Sequence, residues 1–217
     1  MAHEIKNPLT PILLSAQRLR NLFLDKLDEK DSRVIDKTTQ TIIDQVASMD
    51  SMVSAFADYA NTPEIRKTLS SLNTLINKSA SLYDNHDDVR VDLDLSGDLP
   101  KMQLDRDAIS RVLINLIKNA IESVQEKCLE ITNTKGKISI EINDYDDYIE
   151  FTIEDNGKGF KNLENIKKIL NPYFTTKKKG TGLGLAIVNK IINDHNGSIK
   201  FVNLNDGAKV TVEFLKV

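Results

Sequence analysis

Apolar residues in the first sixty positions recur with the period of a coiled coil. Ile5, Leu9, Ile12, Ala16, Leu19 and Phe23 follow one another at intervals of 4, 3, 4, 3 and 4 residues. That spacing keeps them on one stripe of a helix and marks an a/d seam. Residues 25–32 are charged and interrupt the row. It resumes with Ile35, Thr39, Ile42, Val46, Met49, Val53, Phe56 and Ala60, in which Thr39 is the only polar member. The pattern predicts two antiparallel helices joined by a short polar loop. A lone hairpin with seams this narrow buries neither helix well. Two hairpins paired as a four-helix bundle would bury both, so the pattern predicts a homodimer.

The texture changes after Asn61-Thr62-Pro63-Glu64. Pro63 disfavours helix at the residue before it, so this stretch is a linker and the chain divides into 1–62 and 63–217. Past the linker, residues 69–82 have a helical pattern. Val89-Arg90-Val91-Asp92-Leu93-Asp94-Leu95 alternates strictly and predicts a strand. Residues 104–129 form a helix with Ile109, Val112, Leu113, Leu116, Ile117, Ala120 and Val124 on one broad face. Strands are expected at 138–142 and 148–153, joined as a hairpin, then a helix at 181–194 and two more strands at 198–202 and 209–214. Mixed elements with short turns between neighbouring strands indicate an α+β chain. The helical hairpin is followed by an α/β sandwich with one mixed sheet, not a doubly wound fold.

Composition narrows the function classes. Among 217 residues, 40% are apolar and 28% charged, as in ordinary soluble domains. A formal charge of -3 argues against a dedicated nucleic-acid binder, which carries a basic excess. No apolar run approaches the roughly 18 residues that span a bilayer. Cys128 is the only cysteine, which excludes a disulfide within the chain and fits a reducing compartment. His3, His86 and His195 are too scattered to suggest a metal cluster.

Four short segments carry candidate chemistry. In His3-Glu4-Ile5-Lys6-Asn7-Pro8, a seam through Ile5 and Leu9 puts His3, Glu4 and Asn7 on the solvent face. A neutral imidazole beside a carboxylate is a usable nucleophile: Glu4 can take the ring proton while the other nitrogen attacks a phosphoryl group. Asn7 can orient a water or the modified ring, and Pro8 removes a backbone bond and favours a kink. The same six residues also fit an ordinary frayed helix start. A zinc site of HExxH type is excluded because position 7 is Asn. In Asn115-Leu116-Ile117-Lys118-Asn119-Ala120, two asparagines share one face of an otherwise apolar helix. They can offer amide oxygens to Mg²⁺, or be merely exposed or capped.

Asp155-Asn156-Gly157-Lys158-Gly159-Phe160 follows a predicted strand. Its two glycines let a ligand approach the backbone, and Asp155 can accept from an exocyclic amine such as that of adenine. A plain Asp-Asn-Gly turn has the same letters. Last comes Pro172-Tyr173-Phe174-Thr175-Thr176-Lys177-Lys178-Lys179-Gly180-Thr181-Gly182-Leu183-Gly184-Leu185. Alternating glycines before a helix, beside three lysines, make an anion site from exposed N–H groups and the helix dipole. Neither the P-loop nor the dinucleotide fingerprint fits.

In this order, the segments resemble the motifs of the sensor histidine kinase family. His3 to Leu9 is similar to its H box, Asn115 to Ala120 to its N box, and Asp155 to Gly159 to its G1 box. Pro172 to Lys177 resembles the F box and Gly180 to Leu185 the G2 box. The resemblance implies a dimerisation and histidine-phosphotransfer hairpin over 1–62 and a catalytic ATP-binding domain of Bergerat type over 63–217. It implies His3 as phosphoacceptor, Glu4 as general base, and Asn7 as part of a pattern found in kinases that also dephosphorylate their regulator. It implies Asn119 as Mg²⁺ ligand with Asn115 near the phosphates, and Asp155 reading the adenine amine beside Gly157 and Gly159. Phe174, Thr175, Lys177, Gly180, Thr181, Gly182, Leu183 and Gly184 would line the nucleotide from its lid. ATP and Mg²⁺ are the implied ligands, and a response regulator receiver domain and a second copy the implied partners.

Glu122 stands where many relatives carry a base three residues after the Mg²⁺ asparagine, and the lid is short. Both features, and Thr10-Pro11-Ile12, resemble the nitrogen-regulation branch of NtrY type. The chain starts two residues before the H box, so it is expected to be a cytoplasmic piece of a longer bacterial inner-membrane sensor. Two other readings remain: a dimeric nucleotide-binding scaffold without kinase activity, and another ATPase or serine kinase of the same superfamily.

Overall fold

The computed structural model describes residues 2–60, 65–83, 89–95, 97, 99–131, 135–160, 166–177 and 180–216, without the side chains of residues 2, 3, 55, 58–60, 166 and 167. The 61–64 linker and Lys178 and Lys179 therefore lie outside the described residues. The chain divides into two compact units. One is Met1–Pro63 with Thr175–Leu183, and the other is Glu64–Phe174 with Gly184–Val217.

The first unit contains a helical hairpin. Helix α1 spans Ala2–Phe23 and runs through Pro8 and Pro11, and α2 spans Glu29–Ala60. Between them Asp28 starts α2: its carboxylate accepts the Asp31 N–H at 2.8 Å, as an N-cap does. Ser32 Oγ reaches back to Leu24 O at 3.0 Å. Arg20 pairs with Asp36 and Gln40 across the hairpin. Away from Phe23 at the hairpin end, which is 42% exposed, burial separates the seam into two strips of period seven. Leu9, Ala16, Thr39 and Val46 are buried. Ile5, Ile12, Leu19, Ile42, Met49 and Phe56 are exposed, from 36% to 49% of their surface. The one polar seam residue, Thr39, satisfies its hydroxyl within its own helix, donating to Ile35 O at 2.7 Å.

The second unit is the two-layer sandwich. Five strands lie in the order β2-β4-β5-β7-β6. They are β2 Val89–Leu95, β4 Gly136–Asp144, β5 Tyr148–Asp155, β6 Ser198–Asn203 and β7 Ala208–Leu215. The β2–β4 pair is parallel and the other three are antiparallel, so the sheet is mixed. Helices α3 (Leu72–Ala80), α4 (Arg106–Glu130) and α6 (Gly184–Asp194) supply the second layer, and a single turn, α5, covers Ile166–Ile169. Period-two strands present one face to the helices. On β5, Ile149, Phe151, Ile153 and Asp155 are buried, while Glu150 and Glu154 stay partly exposed. Against this side of the sheet pack the Ile109, Val112, Leu113, Leu116 and Ile117 face of α4 and the Val188, Ile191 and Ile192 face of α6, all essentially inaccessible.

Local differences from the sequence expectation occur at element ends. Residues 68–70 form a short strand, β1 (Thr68–Ser70), paired antiparallel with β3 (Met102–Leu104), instead of the start of a helix. Ser71 then caps α3 through Thr74 N. Asp105 is the N-cap of α4, its Oδ1 accepting from Asp107 N and Ala108 N, so the helix begins two residues later than the apolar pattern suggests. Helix α6 starts at Gly184 rather than 181, and stops where Asn196 adopts φ 58° and Gly197 N bonds to Ile192 O at 2.9 Å.

Candidate functional site

Strand β5 delivers Asp155 to the inner face of the sheet, where the residue is 8% exposed. Its Oδ1 accepts the Gly157 N–H at 2.8 Å. Burial pushes its carboxyl above the ordinary 3.8, while the Gly157 N–H, the Ser123 hydroxyl and the charge of Lys127 pull it back down. Ser123 Oγ also accepts the Lys158 N–H at 3.0 Å. Gly157 has no room for a side chain: a Cβ there would stand 2.3 Å from Ser123 Oγ and 2.7 Å from Asp155 Oδ1. The turn thus keeps its backbone tight against α4, and the Asp155 carboxylate also accepts from the Ser123 hydroxyl and the Ala208 N–H.

The remainder of the turn is fixed from both sides. Asn156 acts as an extension of β4, with its amide bonded to Lys137 N at 2.8 Å and Lys135 O at 3.0 Å. Gly159 takes φ 68° and Phe160 is clamped by Asn203 through two bonds of 2.7 and 2.8 Å. Gly207, with φ 103°, passes so close that a Cβ would meet Asp155 O at 1.8 Å. Lys127 holds Asn156 O at 2.8 Å and pairs with Asp206.

One turn and two turns of α4 before Ser123 lie Asn119 and Asn115, both half-buried. The Asn115 amide donates to Arg111 O at 2.9 Å. Its oxygen then faces the first residue of α6, where a Cβ on Gly184 would lie 3.0 Å away. Lys118 and Glu122 are 3.9 Å apart on the same helix. The Tyr83 hydroxyl, pushed up by burial and then by the Glu122 charge, lies in the same neighbourhood.

The structure therefore brings Asp155, Gly157 and Ser123 together, and Asn115 with Gly184. Phe174 follows a turn in which Tyr173 adopts φ 68°, and its N–H bonds to Asn171 O at 3.3 Å. Thr175, Lys177, Gly180, Thr181, Gly182 and Leu183 belong to the other unit and form their own loop. There Thr175 Oγ1 accepts the Lys177 N–H at 3.1 Å, Gly180 N bonds to Lys177 O at 3.3 Å, and Gly182 takes φ 67°. A Cβ on Gly180 would meet Thr175 Oγ1 at 2.5 Å. His3, Glu4 and Asn7 lie in the first turns of α1; Glu4 and Asn7 are exposed, and the His3 side chain lies outside the described residues. Sequence reasoning missed Ser123, although its place four residues after Asn119 puts it on the same face. It also missed Asn203 and Gly207, which only the β6–β7 pairing brings to the turn.

A buried carboxylate at a strand end, a glycine turn with no space for Cβ and two asparagines on the facing helix suit a purine nucleotide. An amide oxygen such as that of Asn119 suits a hard cation carried on phosphates. Among the described residues no cluster of three or more His, Cys, Asp or Glu could hold a metal by itself.

Comparison with known proteins agrees with this geometry. Residues 104–217 match the family described as histidine kinase-, DNA gyrase B- and HSP90-like ATPase, and residues 1–64 match the His Kinase A (phospho-acceptor) domain. The nitrogen regulation protein NtrY of Azorhizobium caulinodans is 36% identical over 95% of this chain and 26% of its own length. A putative NtrY-like sensor histidine kinase of Rickettsia prowazekii is 35% identical over 99% of this chain and 35% of its own length. The chain thus spans about a quarter to a third of these relatives. The catalytic domain of histidine kinase ThkA is 32% identical over 70% of this chain and 97% of its own length, with a TM-score of 0.60. ThkA in complex with the response regulator protein TrrA is 28% identical, with a TM-score of 0.70 over all of this chain and 60% of that one. The fold and site thus define an ATPase domain of the histidine kinase, gyrase B and HSP90 class. Joined to the phospho-acceptor domain, it makes this chain a member of the sensor histidine kinase family.

Proposed function

We propose that this chain is the ATP-dependent protein-histidine kinase core of a two-component sensor. Residues 1–62 act as the dimerisation and phosphotransfer domain and 63–217 as the ATP-binding domain. The reaction moves the γ-phosphoryl group of ATP to an imidazole nitrogen of His3, releasing ADP. Glu4 takes the proton from the other ring nitrogen as the first attacks. The phosphoryl group then passes from His3 to an aspartate of a response regulator receiver domain. Asn7, one turn from His3, positions the water for the reverse task of dephosphorylating that regulator.

The carrying observation is the Asp155–Gly157–Ser123 cradle. The Asp155 carboxylate accepts the adenine amine, and Gly157 and Gly159 let the base lie against backbone. Asn119 supplies the amide oxygen for Mg²⁺ and Asn115 orients the phosphates. Bound Mg²⁺ would neutralise phosphate charge as the leaving group departs. Phe174, Thr175, Lys177, Gly180, Thr181, Gly182, Leu183 and Gly184 close on the nucleotide, with Lys177 and backbone N–H groups offsetting negative charge. The exposed strip through Ile5, Ile12 and Leu19 supports a homodimer. Among the described residues no helix is long and apolar enough to cross a membrane; a membrane-attached parent remains part of the proposal.

Incubation with labelled ATP and Mg²⁺ tests the reading. Acid-labile, base-stable label on the native chain, lost in His3→Gln, is expected. Bound nucleotide without label, also after the N-terminus is extended by three helical turns, would favour the scaffold reading. Acid-stable label would favour a serine kinase.

A further inference from the structure

Helix α6 approaches the first half of α4 at both of its own ends. At one end Gly184, the first residue of α6, lies so close to Asn115 that a Cβ there would stand 3.0 Å from its amide oxygen. At the other, His195, directly after α6, accepts the backbone N–H of Asp105, the N-cap of α4, on Nε2 at 3.0 Å. Ten residues separate Asp105 from Asn115 and eleven separate Gly184 from His195. Both spans are roughly 15–17 Å at 1.5 Å per residue, so the antiparallel helices meet at two matching heights, by close approach at Gly184 and by a hydrogen bond at His195.

The His195 contact admits one arrangement of protons. Nδ1 lies 2.8 Å from Ile191 O, which only accepts, so Nδ1 carries the hydrogen. Nε2 faces an N–H, which only donates, so Nε2 is bare. Both bonds exist together only in the neutral ring; a proton on Nε2 sets N–H against N–H. The residue is 7% exposed, so water does not stand in for the lost partner. Asp105 is itself fully engaged, since its other oxygen accepts the Arg66 N–H at 2.8 Å just before β1. The charged groups around the ring are Lys67 before β1, Asp105 at the cap and Asp194 on α6. The Phe214 ring of β7 packs edge-on at 6.1 Å. Burial outweighs the two carboxylates and holds the imidazole below its usual value.

We propose that His195 is a positioning residue for nucleotide binding: its neutral ring holds α6 in register on α4, so that Gly184 stays beside Asn115 where the phosphates bind. This rests on the nucleotide site proposed above. It adds to that site a dependence on pH transmitted along a helix of eleven residues. The adenine end does not share it, because Asp155, Gly157 and Ser123 are set by β5 and the second half of α4.

The test is Mg-ATP affinity of the full chain by calorimetry from pH 5.5 to 8, with circular dichroism to confirm folding. His195→Gln keeps an acceptor but does not titrate in this range; His195→Leu has no acceptor. At pH 8 the Leu variant should bind Mg-ATP at least tenfold more weakly than the native chain, and the Gln variant within threefold of it. At pH 5.5 the native chain should lose at least fivefold more affinity than His195→Gln, a comparison in which titration of ATP itself cancels. A folded Leu variant with native affinity would overturn the role, as would one shared pH profile for the native chain and His195→Gln. If the Leu variant does not fold, the native-to-Gln comparison decides alone. A native chain that binds no Mg-ATP at pH 8 removes the site reading and this role together; one that binds, with the pH profile unchanged in His195→Gln, removes only the role.

Discussion

The hairpin and the sandwich solve the same burial problem with different completeness. In the sandwich, one apolar helix face meets one apolar sheet face from the same chain, and Ile117, Leu113, Phe151 and Val212 are inaccessible. In the hairpin, a seam of comparable apolar content leaves Ile12 46% exposed, Leu19 43% and Met49 49%. The reason is geometric. An a/d seam is two strips with period seven, and a single facing helix covers one of them. The covered strip is Leu9, Ala16, Thr39 and Val46; the other stays exposed, as the proposed homodimer requires. One region is therefore finished within a single chain, while the other keeps an exposed apolar strip.

The sharpest way to break this contrast is to damage the finished core. Phe151→Ala removes a fully buried ring from the centre of the sheet and should cost about 3–5 kcal/mol. Denaturant unfolding of the sandwich would read it, and a loss below about 1 kcal/mol would mean the layer packs less tightly than its burial implies. In the hairpin, Ile12→Glu should spare the fold of a single chain but raise the dimer dissociation constant at least ~100-fold, since two copies of the apolar contact are lost. Sedimentation at a series of concentrations measures this; unchanged association would assign the strip to another partner.

A third effect is confined to the sandwich. His195 is held below its usual 6.5, chiefly by burial. The folded state then binds fewer protons there than the unfolded chain does. The stability it lends is complete above about pH 6.5 and falls as the pH drops from there through its folded value, by at most about 1.4 kcal/mol per unit. Thermal melts of native chain and His195→Gln between pH 5 and 8 should diverge only on the acid side. The smallest change belongs to the hairpin surface. Arg33→Ala breaks an ion pair with Glu29 whose members are 78% and 82% exposed, and should shift stability by less than about 0.5 kcal/mol.

Much of the architecture was legible because period is a local property. The alternation of residues 89–95 and the broad apolar face of residues 104–129 correspond to β2 and to α4. What escaped were pieces too short to carry a period. Strands β1 and β3 have three residues each and exist because they pair with one another across the 31 residues between Ser70 and Met102. The start of α6 was placed early because Thr181 and Gly182 precede the helix without any apolar rhythm to mark its first turn. At the site, Asp155 and the asparagines were visible as unusual polar residues beside apolar runs. Ser123 was hidden by its ordinariness, and Asn203 by distance along the chain.

Composition and spacing by themselves determined the longer elements, the seam and the order of the five motifs, because each depends on neighbours within a few residues. Tertiary structure alone decided which seam strip is covered, which glycines have no room for a Cβ, and that Ser123 shares the Asp155 carboxylate with Gly157. It also joined His195 to Asp105 across ninety residues. Such facts arise where strands and helices distant in sequence come within hydrogen-bonding reach, and a list of residues contains no such distances until the chain is folded.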